Sequence, residues 1–429
     1  MVDPIAGQLV NAEYLIPIFL GMVFAASLLA SRTKVPYSMV LAGVGIGISL
    51  FHYTGFNVIN FEEFKVDPKL ILYFIVPSLI FEAMMKVNQK EFKTVQISTF
   101  LLATIGTVLA TIVGGFLLGS ISGLPYIVAF AFAALIASTD AAVVIEVFKR
   151  VRVPQPLSSM MESEASLNDA TGVILFSAVI AIALASGGTL DSSKISGQIN
   201  VNILGEIEHF AIVFFGGAAI GLGFAAATHR LHRLIDDPFS ETGLTVAIVF
   251  GSVVVANSVG VSGLVAVAVA GLYFGNVTTK HETTMSIKVK AYAVNFWEMI
   301  AFFANSLAFL YLGVSMDLVR IVQHLPLIIL AFVVVLAARA ASIYPLLTVI
   351  NKFTKEKIPT TWRHVAMIGS MRGALAVALV GTLPESDFKE TLQTITFGVV
   401  LGSLVIQYPM LARYVRKVFQ DNTVTENKL

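Results

Sequence analysis

Long apolar runs, separated by short polar and basic segments, recur along the whole chain. A helix needs about 20 such residues to cross the hydrocarbon core of a bilayer. The pattern predicts thirteen helices, near residues 14–31, 36–51, 69–85, 97–118, 125–148, 158–186, 209–228, 242–256, 261–276, 292–315, 324–348, 363–383 and 391–412. The short ones at 242–256 and 261–276 span only with little tilt or in a thin bilayer. Polar residues interrupt two of the runs, at "LIASTDAAV" in the fifth and "MIGSMRGALAV" in the twelfth. Interrupted helices in an odd-numbered set fit two inverted six-helix repeats plus one extra helix, a common transporter architecture. The fold class is all-α and polytopic.

The basic residues orient these helices. With the N-terminus outside, twenty-one Lys and Arg fall in inner segments and five in outer ones: Lys65, Lys69, Lys194, Arg320 and Lys389. The other two, Arg339 and Arg372, fall inside predicted helices. A bias kept through every alternation is what the positive-inside rule requires. It places the chain in the cell membrane as a multi-pass protein, with the C-terminus and a short polar tail at 422–429 in the cytoplasm. The first run, 14–31, lacks a basic n-region and a cleavage site and reads as a retained helix.

Composition agrees. The 429 residues are 56% hydrophobic and 13% charged, about half the charge of a soluble protein. A net charge of +1 points to no nucleic-acid partner. The absence of cysteine excludes disulfides, thiolate metal sites and cysteine nucleophiles. The seven His show no HExxH spacing, and the longest loops, near 52–68 and 187–208, are too short for a soluble domain. No Walker-type nucleotide motif is present, so an ion gradient must drive any transport.

Six charges lie where lipid should be: Glu82, Asp140, Glu164, Asp169, Arg339 and Arg372. Unpaired, they would oppose folding by about 15 kcal/mol on translocon scales. They must face one another or a water-filled cavity. Asp140 ends "ASTD", a run whose unwinding would turn carbonyls, Ser138 and Thr139 into oxygen ligands; the plainer reading is an Asp at a helix end near the cytoplasm. Glu164 and Asn168 are four apart and share a helix face, with Asp169 about 100° further round and Ser166 beside them. For Asp169 the plainer reading is a carboxylate satisfied by a neighbouring helix end. Glu162, closer to water, reads as interfacial. Arg372, between Gly369 and Gly373, is a natural counter-ion for Glu164 or Asp140, and a Glu164–Arg372 pair reads as structural. Arg339 does similar work near the inner end of the eleventh helix. Glu82 is either a gate at a cavity mouth or a snorkelling carboxylate.

Two carboxylates with hydroxyl and carbonyl oxygens suit a hard cation such as Na+. Burial disfavours the charged form of a carboxylate, so a proton competes with the metal ion for the same group. Alternating exposure of that group to the two faces couples the two fluxes in opposite directions.

The pieces "STDAAVV" at 138–144, "ESEASLNDATGV" at 162–173, "VSGLVAVAVAGLYFGN" at 261–276, "FWEMIAFFANSLAFLYLGVSM" at 296–316, "RAASIYP" at 339–345 and "SMRGALAVAL" at 370–379 resemble the cation/proton antiporter family. Within it they resemble the NhaP-type Na+/H+ antiporters and the eukaryotic Na+/H+ exchangers. The likeness covers nearly the whole chain. It implies an NhaA-like fold with unwound, crossing fifth and twelfth helices, and a homodimer. It implies a transport domain at 97–186 and 324–412 and a dimerisation scaffold at 14–85 and 209–315. Asp169 would carry Na+ (or Li+) or H+, Asp140 and Thr139 would complete the ion site, Asn168 would stabilise it, and Glu164 would pair with Arg372. Asn before the Asp implies electroneutral one-for-one exchange. The family often has Ser directly after this Glu; here Ala165 stands there and Ser166 follows, which bears on affinity and selectivity. The resemblance implies no enzyme activity and no cofactor, Na+ and H+ being cargo.

Three rivals are weighed against this. An intramembrane aspartyl protease resembles a GxGD pattern, absent at Asp140 and Asp169. A cation channel fits broken helices less well than a carrier does. A K+/H+ antiporter of the same fold differs only in its ion.

Overall fold

The computed structural model describes residues 12–33, 35–53, 70–87, 89–185, 203–232, 234–235, 237–278, 285–354, 357–381, 383 and 388–420. The tail at 422–429 and most of the loops near 52–68 and 187–208 lie outside these residues, as do Lys65, Lys69 and Lys194.

Every described regular element is helical. In chain order they are α1 (Ala12–Thr33), α2 (Tyr37–Tyr53), α3 (Val76–Lys86), α4 (Gln89–Leu101), α5 (Thr107–Ser122), α6 (Tyr126–Leu135), α7 (Ala142–Arg150), α8 (Gln155–Ala185) and α9 (Ile203–His232). There follow α10 (Pro238–Ser258), α11 (Gly263–Tyr273), α12 (Ile287–Val314), α13 (Leu318–Gln323), α14 (Leu325–Phe353), α15 (Thr360–Ile368), α16 (Ala374–Gly381), α17 (Lys389–Gly402) and α18 (Tyr408–Phe419). Single π turns precede α3, join α4 to α5, extend α11 and join α17 to α18. Six described stretches, such as Lys93–Ser122 and Leu325–Phe353, are long and apolar enough to cross a membrane.

Local chemistry sets the boundaries that hydropathy blurs. The predicted 242–256 is a 21-residue helix. It starts earlier because the Asp237 carboxylate caps it, accepting the Ser240 N–H at 2.8 Å, with Pro238 in the first turn. It therefore needs no thin bilayer. Ser262 caps α11 in the same way through the Val265 N–H.

One group of helices packs backbone against backbone. A Cβ added at Gly313 would lie 2.3 Å from the Ala42 carbonyl oxygen, and one at Gly221 would lie 2.1 Å from that of Ala266. Only glycine lets α2 meet α12, and α9 meet α11, so closely, the device by which helices associate in lipid. Helix α11 also lies on α3. A second group, α4 to α8 with α14 to α18, surrounds the two interrupted helices. The groups meet where α8 touches α3 and α11 and where α16 touches α12.

Candidate functional site

The interruptions lie where the polar runs fall. Between α6 and α7, residues Ala137 to Ala141 leave the helix; between α15 and α16, Ser370 to Gly373 do. The two breaks cross, the Asp140 N–H donating to the Met371 carbonyl at 2.8 Å. Gly373 makes the crossing possible, since a Cβ there would sit 2.3 Å from Asp140 Oδ2.

Unwinding a helix inside a membrane leaves backbone groups that must find other partners. Two side chains supply them. Arg372 Nη1 donates to the Ala137 and Ser138 carbonyls, each at 2.9 Å, and the Arg372 N–H donates to Ser403 Oγ at 3.2 Å. Asn168 on α8 accepts the Thr139 N–H at 3.1 Å and donates to Thr139 Oγ1 at 2.7 Å. Its amide also donates to Glu164 Oε1 at 2.9 Å. Asp140 Oδ1 accepts the Ala142 N–H at 2.8 Å, which starts α7.

The ion pair differs from the expected one. Glu164 pairs with Arg339, whose Nη2 donates to Glu164 Oε1 at 2.8 Å, both groups buried. Arg339 lies at the middle of α14 and not near its inner end. It reaches Glu164 across the group, while Arg372 is occupied by the carbonyls its own break exposes to it.

Asp169 stands apart. Its carboxylate has no hydrogen-bond or ion-pair partner among the described residues and lines a cavity of about 410 Å³. Asp140, Thr139, Ser138, Ala165 and Ser166 line the same cavity. The Ser166 hydroxyl donates back to the Glu162 carbonyl at 2.9 Å, which leaves its oxygen lone pairs available to a cation. Glu82 lies in this cavity's lining and pairs with Lys86, which also bonds Glu298 at 2.8 Å. The arrangement juxtaposes the unpartnered Asp169 carboxylate, the anchored Asp140 and several oxygen ligands around the cavity, with the Glu162 carboxylate in the same lining.

Several residues here were missed from sequence. Glu298 was legible, being a carboxylate inside the run at 292–315. Ser403 gave no signal, because a lone Ser in an apolar helix usually back-bonds to its own turn, as Ser403 also does to Val400.

Residues 18–417 match the family described as "Sodium/hydrogen exchanger, transmembrane". The chain is similar to the Na(+)/H(+) antiporter NhaG of Bacillus atrophaeus, 32% identical over 401 residues, covering 91% of this chain and 72% of that protein. It is 30% identical over 390 residues to the Na(+)/H(+) antiporter ApNhaP of Aphanothece halophytica, covering 90% and 70%. Its fold is similar to the sodium proton antiporter MjNhaP1 from Methanocaldococcus jannaschii, with a TM-score of 0.75 at 20% identity, over 94% of this chain and 98% of that one.

Proposed function

The chain belongs to the sodium/hydrogen exchanger family, and from that premise we propose that it exchanges Na+ for H+ across the cell membrane, one for one, with both ions competing for Asp169. The observation that carries this is the Asp169 carboxylate, which faces the cavity without a hydrogen-bond or ion-pair partner among the described residues, while the charges packed around the crossing, Asp140, Glu164, Arg339 and Arg372, each have one. A carboxylate without a fixed counter-charge must take a mobile one.

Charge counting supports electroneutrality. Arg339 and Arg372 stand against Glu164, Asp140 and Asp169. Counted as ionised, this buried group is short of one positive charge. A sodium ion and a proton each supply one, so the loaded group carries the same charge in both directions. Thr139, Asp140 and Ser166 then offer oxygens to Na+, while Glu164–Arg339, Asn168 and Arg372 hold the frame.

Lys86 and Lys149 lie at this cavity, and by the positive-inside rule its mouth faces the cytoplasm, with the N-terminus outside and the C-terminus inside. The segments 97–186 and 324–412 form the moving transport domain in this reading. The segments 14–85 and 209–315 form the scaffold through which two copies associate.

Proteoliposomes carrying an imposed ΔpH test the proposal. Na+ or Li+ added in turn dissipates it, K+ does so less, and Asp169→Asn abolishes the response while the protein remains monodisperse. The ΔpH reached at equilibrium is unmoved by membrane voltage. Exchange surviving in Asp169→Asn removes the assigned role, and an equilibrium that shifts with voltage removes the one-for-one stoichiometry.

A further inference from the structure

Helix α14 carries an exposed apolar stripe along its length. Val333, Ala337, Ala341, Pro345, Val349 and Phe353 recur every four residues and are all exposed, so they share one face. The middle three are small and the flanking ones larger, which makes the stripe a shallow trough. One leaflet is about half of a 30 Å hydrocarbon core, or about ten residues of helix at 1.5 Å each. Counted back from the end of α14, that length reaches the trough beside Ala341.

The stripe ends on a basic turn. Lys352 is exposed in the last turn of α14 and has no partner among the described residues. Thr348, one turn before it on the same side, accepts Arg363 Nη1 at 2.8 Å. Arg363 Nε donates to the Ile358 carbonyl at 3.3 Å, which leaves Nη2 without a partner among the described residues. The turn is held in shape. Asn351 accepts the Ile358 N–H and donates to the Ile358 carbonyl, both at 2.9 Å, and Lys357 donates to the Asn351 and Thr354 carbonyls. From 340 to 371 the chain has four basic residues and one carboxylate, Glu356, which lies outside the described residues.

A phosphate ester bonds well between a guanidinium edge and an ammonium, and basic pockets at the cytoplasmic ends of membrane helices attract anionic headgroups. Arg413, Arg416 and Lys417 on α18 are exposed too, but their side chains have no hydrogen-bond partner among the described residues. Binding there would have to order them first, whereas Arg363 is already held.

We propose that the α14–α15 turn docks an anionic phospholipid of the cytoplasmic leaflet, with its phosphate between Lys352 and Arg363 and an acyl chain in the α14 trough. The choice of leaflet rests on the orientation proposed above; the docking does not depend on which ion is exchanged. Helix α14 holds Arg339, and α15 leads into Arg372. One tie between them exists already, Tyr344 on α14 with His364 on α15 at 2.7 Å. A lipid bridging the same two helices adds a second, and so braces both guanidinium groups that frame the ion site.

Native mass spectrometry of the detergent-solubilised protein, titrated with dioleoylphosphatidylglycerol or dioleoylphosphatidylcholine, tests the docking. Phosphatidylglycerol is expected to be retained at the lower concentration. The double variant Lys352→Gln with Arg363→Gln is expected to weaken that retention about fivefold for each charge removed. Lys352→Gln alone serves if the double variant fails to fold. Ala341→Trp fills the trough without changing charge and is expected to weaken retention as well. Arg413→Gln with Lys417→Gln removes the same charge from α18 and is expected to change little. Equal weakening by the two double variants means diffuse attraction and overturns the site. Full retention in Lys352→Gln or in Ala341→Trp overturns it too, and so does displacement of the lipid by an equal concentration of inorganic phosphate. In vesicles, exchange is expected to be faster with phosphatidylglycerol than with phosphatidylcholine alone. A gain that survives in Lys352→Gln removes the brace.

Discussion

The contacts between α2 and α12, and between α9 and α11, are made by backbones, whereas the crossing of the two helix breaks is held by side chains. In the first region glycine removes a Cβ so that one helix touches the carbonyls of another. In the second, Arg372 and Asn168 reach over to satisfy groups that unwinding set free. Backbone contact is rigid and chemically inert. Side-chain contact leaves hydroxyl oxygens and the Asp140 and Asp169 carboxylates lining a cavity, and on that the proposed ion exchange rests. Stability and chemistry are thus built from different materials in the two regions.

The largest expected effect breaks the polar region from within. Arg339→Ala leaves Glu164 buried without its counter-charge, a loss of about 3–5 kcal/mol. Thermal unfolding in detergent measures it. The double variant Arg339→Ala with Glu164→Ala is expected to lose much less than the sum of the singles; additive losses would mean that the pair does not act as one.

Two glycine-to-alanine changes then set the regions side by side. Gly221→Ala forces a methyl group onto the Ala266 carbonyl and is expected to cost about 1–3 kcal/mol by overpacking, with exchange per folded molecule preserved. Gly373→Ala pushes against Asp140. Its exchange rate is expected to fall about 10-fold to 100-fold, in line with ångström-scale misplacement, with a smaller change in melting temperature. A reversed pattern would dissolve the distinction drawn above.

Asn168→Asp sharpens the polar side further. The Asn168 amide donates to Thr139 Oγ1 and to Glu164 Oε1, and a carboxylate can donate to neither. The variant is expected to lose about 1–3 kcal/mol and to exchange poorly. Efficient voltage-driven exchange from this single change would show that the surrounding hydrogen bonds matter little.

The smallest effect lies at the start of α10. The Ser240 N–H holds the Asp237 carboxyl below its usual value. Because the folded value lies below the unfolded one, the cap contributes fully above the ordinary carboxylate range and is lost as pH falls through the depressed value. Asp237→Ala is expected to lower the melting temperature least of these variants, with a difference that vanishes in acid. A difference that persists there would assign it to something other than the cap's charge.

Much of the site was legible before any tertiary contact was known. The polar runs around Asp140 and Arg372 marked the breaks, because a charge beside small hydroxylated residues or glycines interrupts an otherwise apolar helix. The spacing of Glu164 and Asn168 marked one helix face, and their hydrogen bond follows from it. The partner of Glu164 was not legible. Arg339 and Arg372 are equal candidates along the chain, and the choice depends on which helix crosses at which height. The basic turn beside the α14 stripe was equally hidden, since Lys352 and Arg363 come from separate helices that are each ordinary in sequence.

What the chain determined by itself is the all-helical membrane class, the places of the two interruptions and the presence of charges that lipid forbids, because hydropathy and the helical repeat act over a few residues. Only the tertiary structure decided which charge meets which. It matched Arg339 to Glu164, gave Arg372 to the carbonyls of the other break, and left Asp169 with open space in front of it. The physical reason is range: a buried charge takes its partner from whatever packing brings within about 3 Å, and packing is settled by the glycine contacts and helix crossings of the whole assembly.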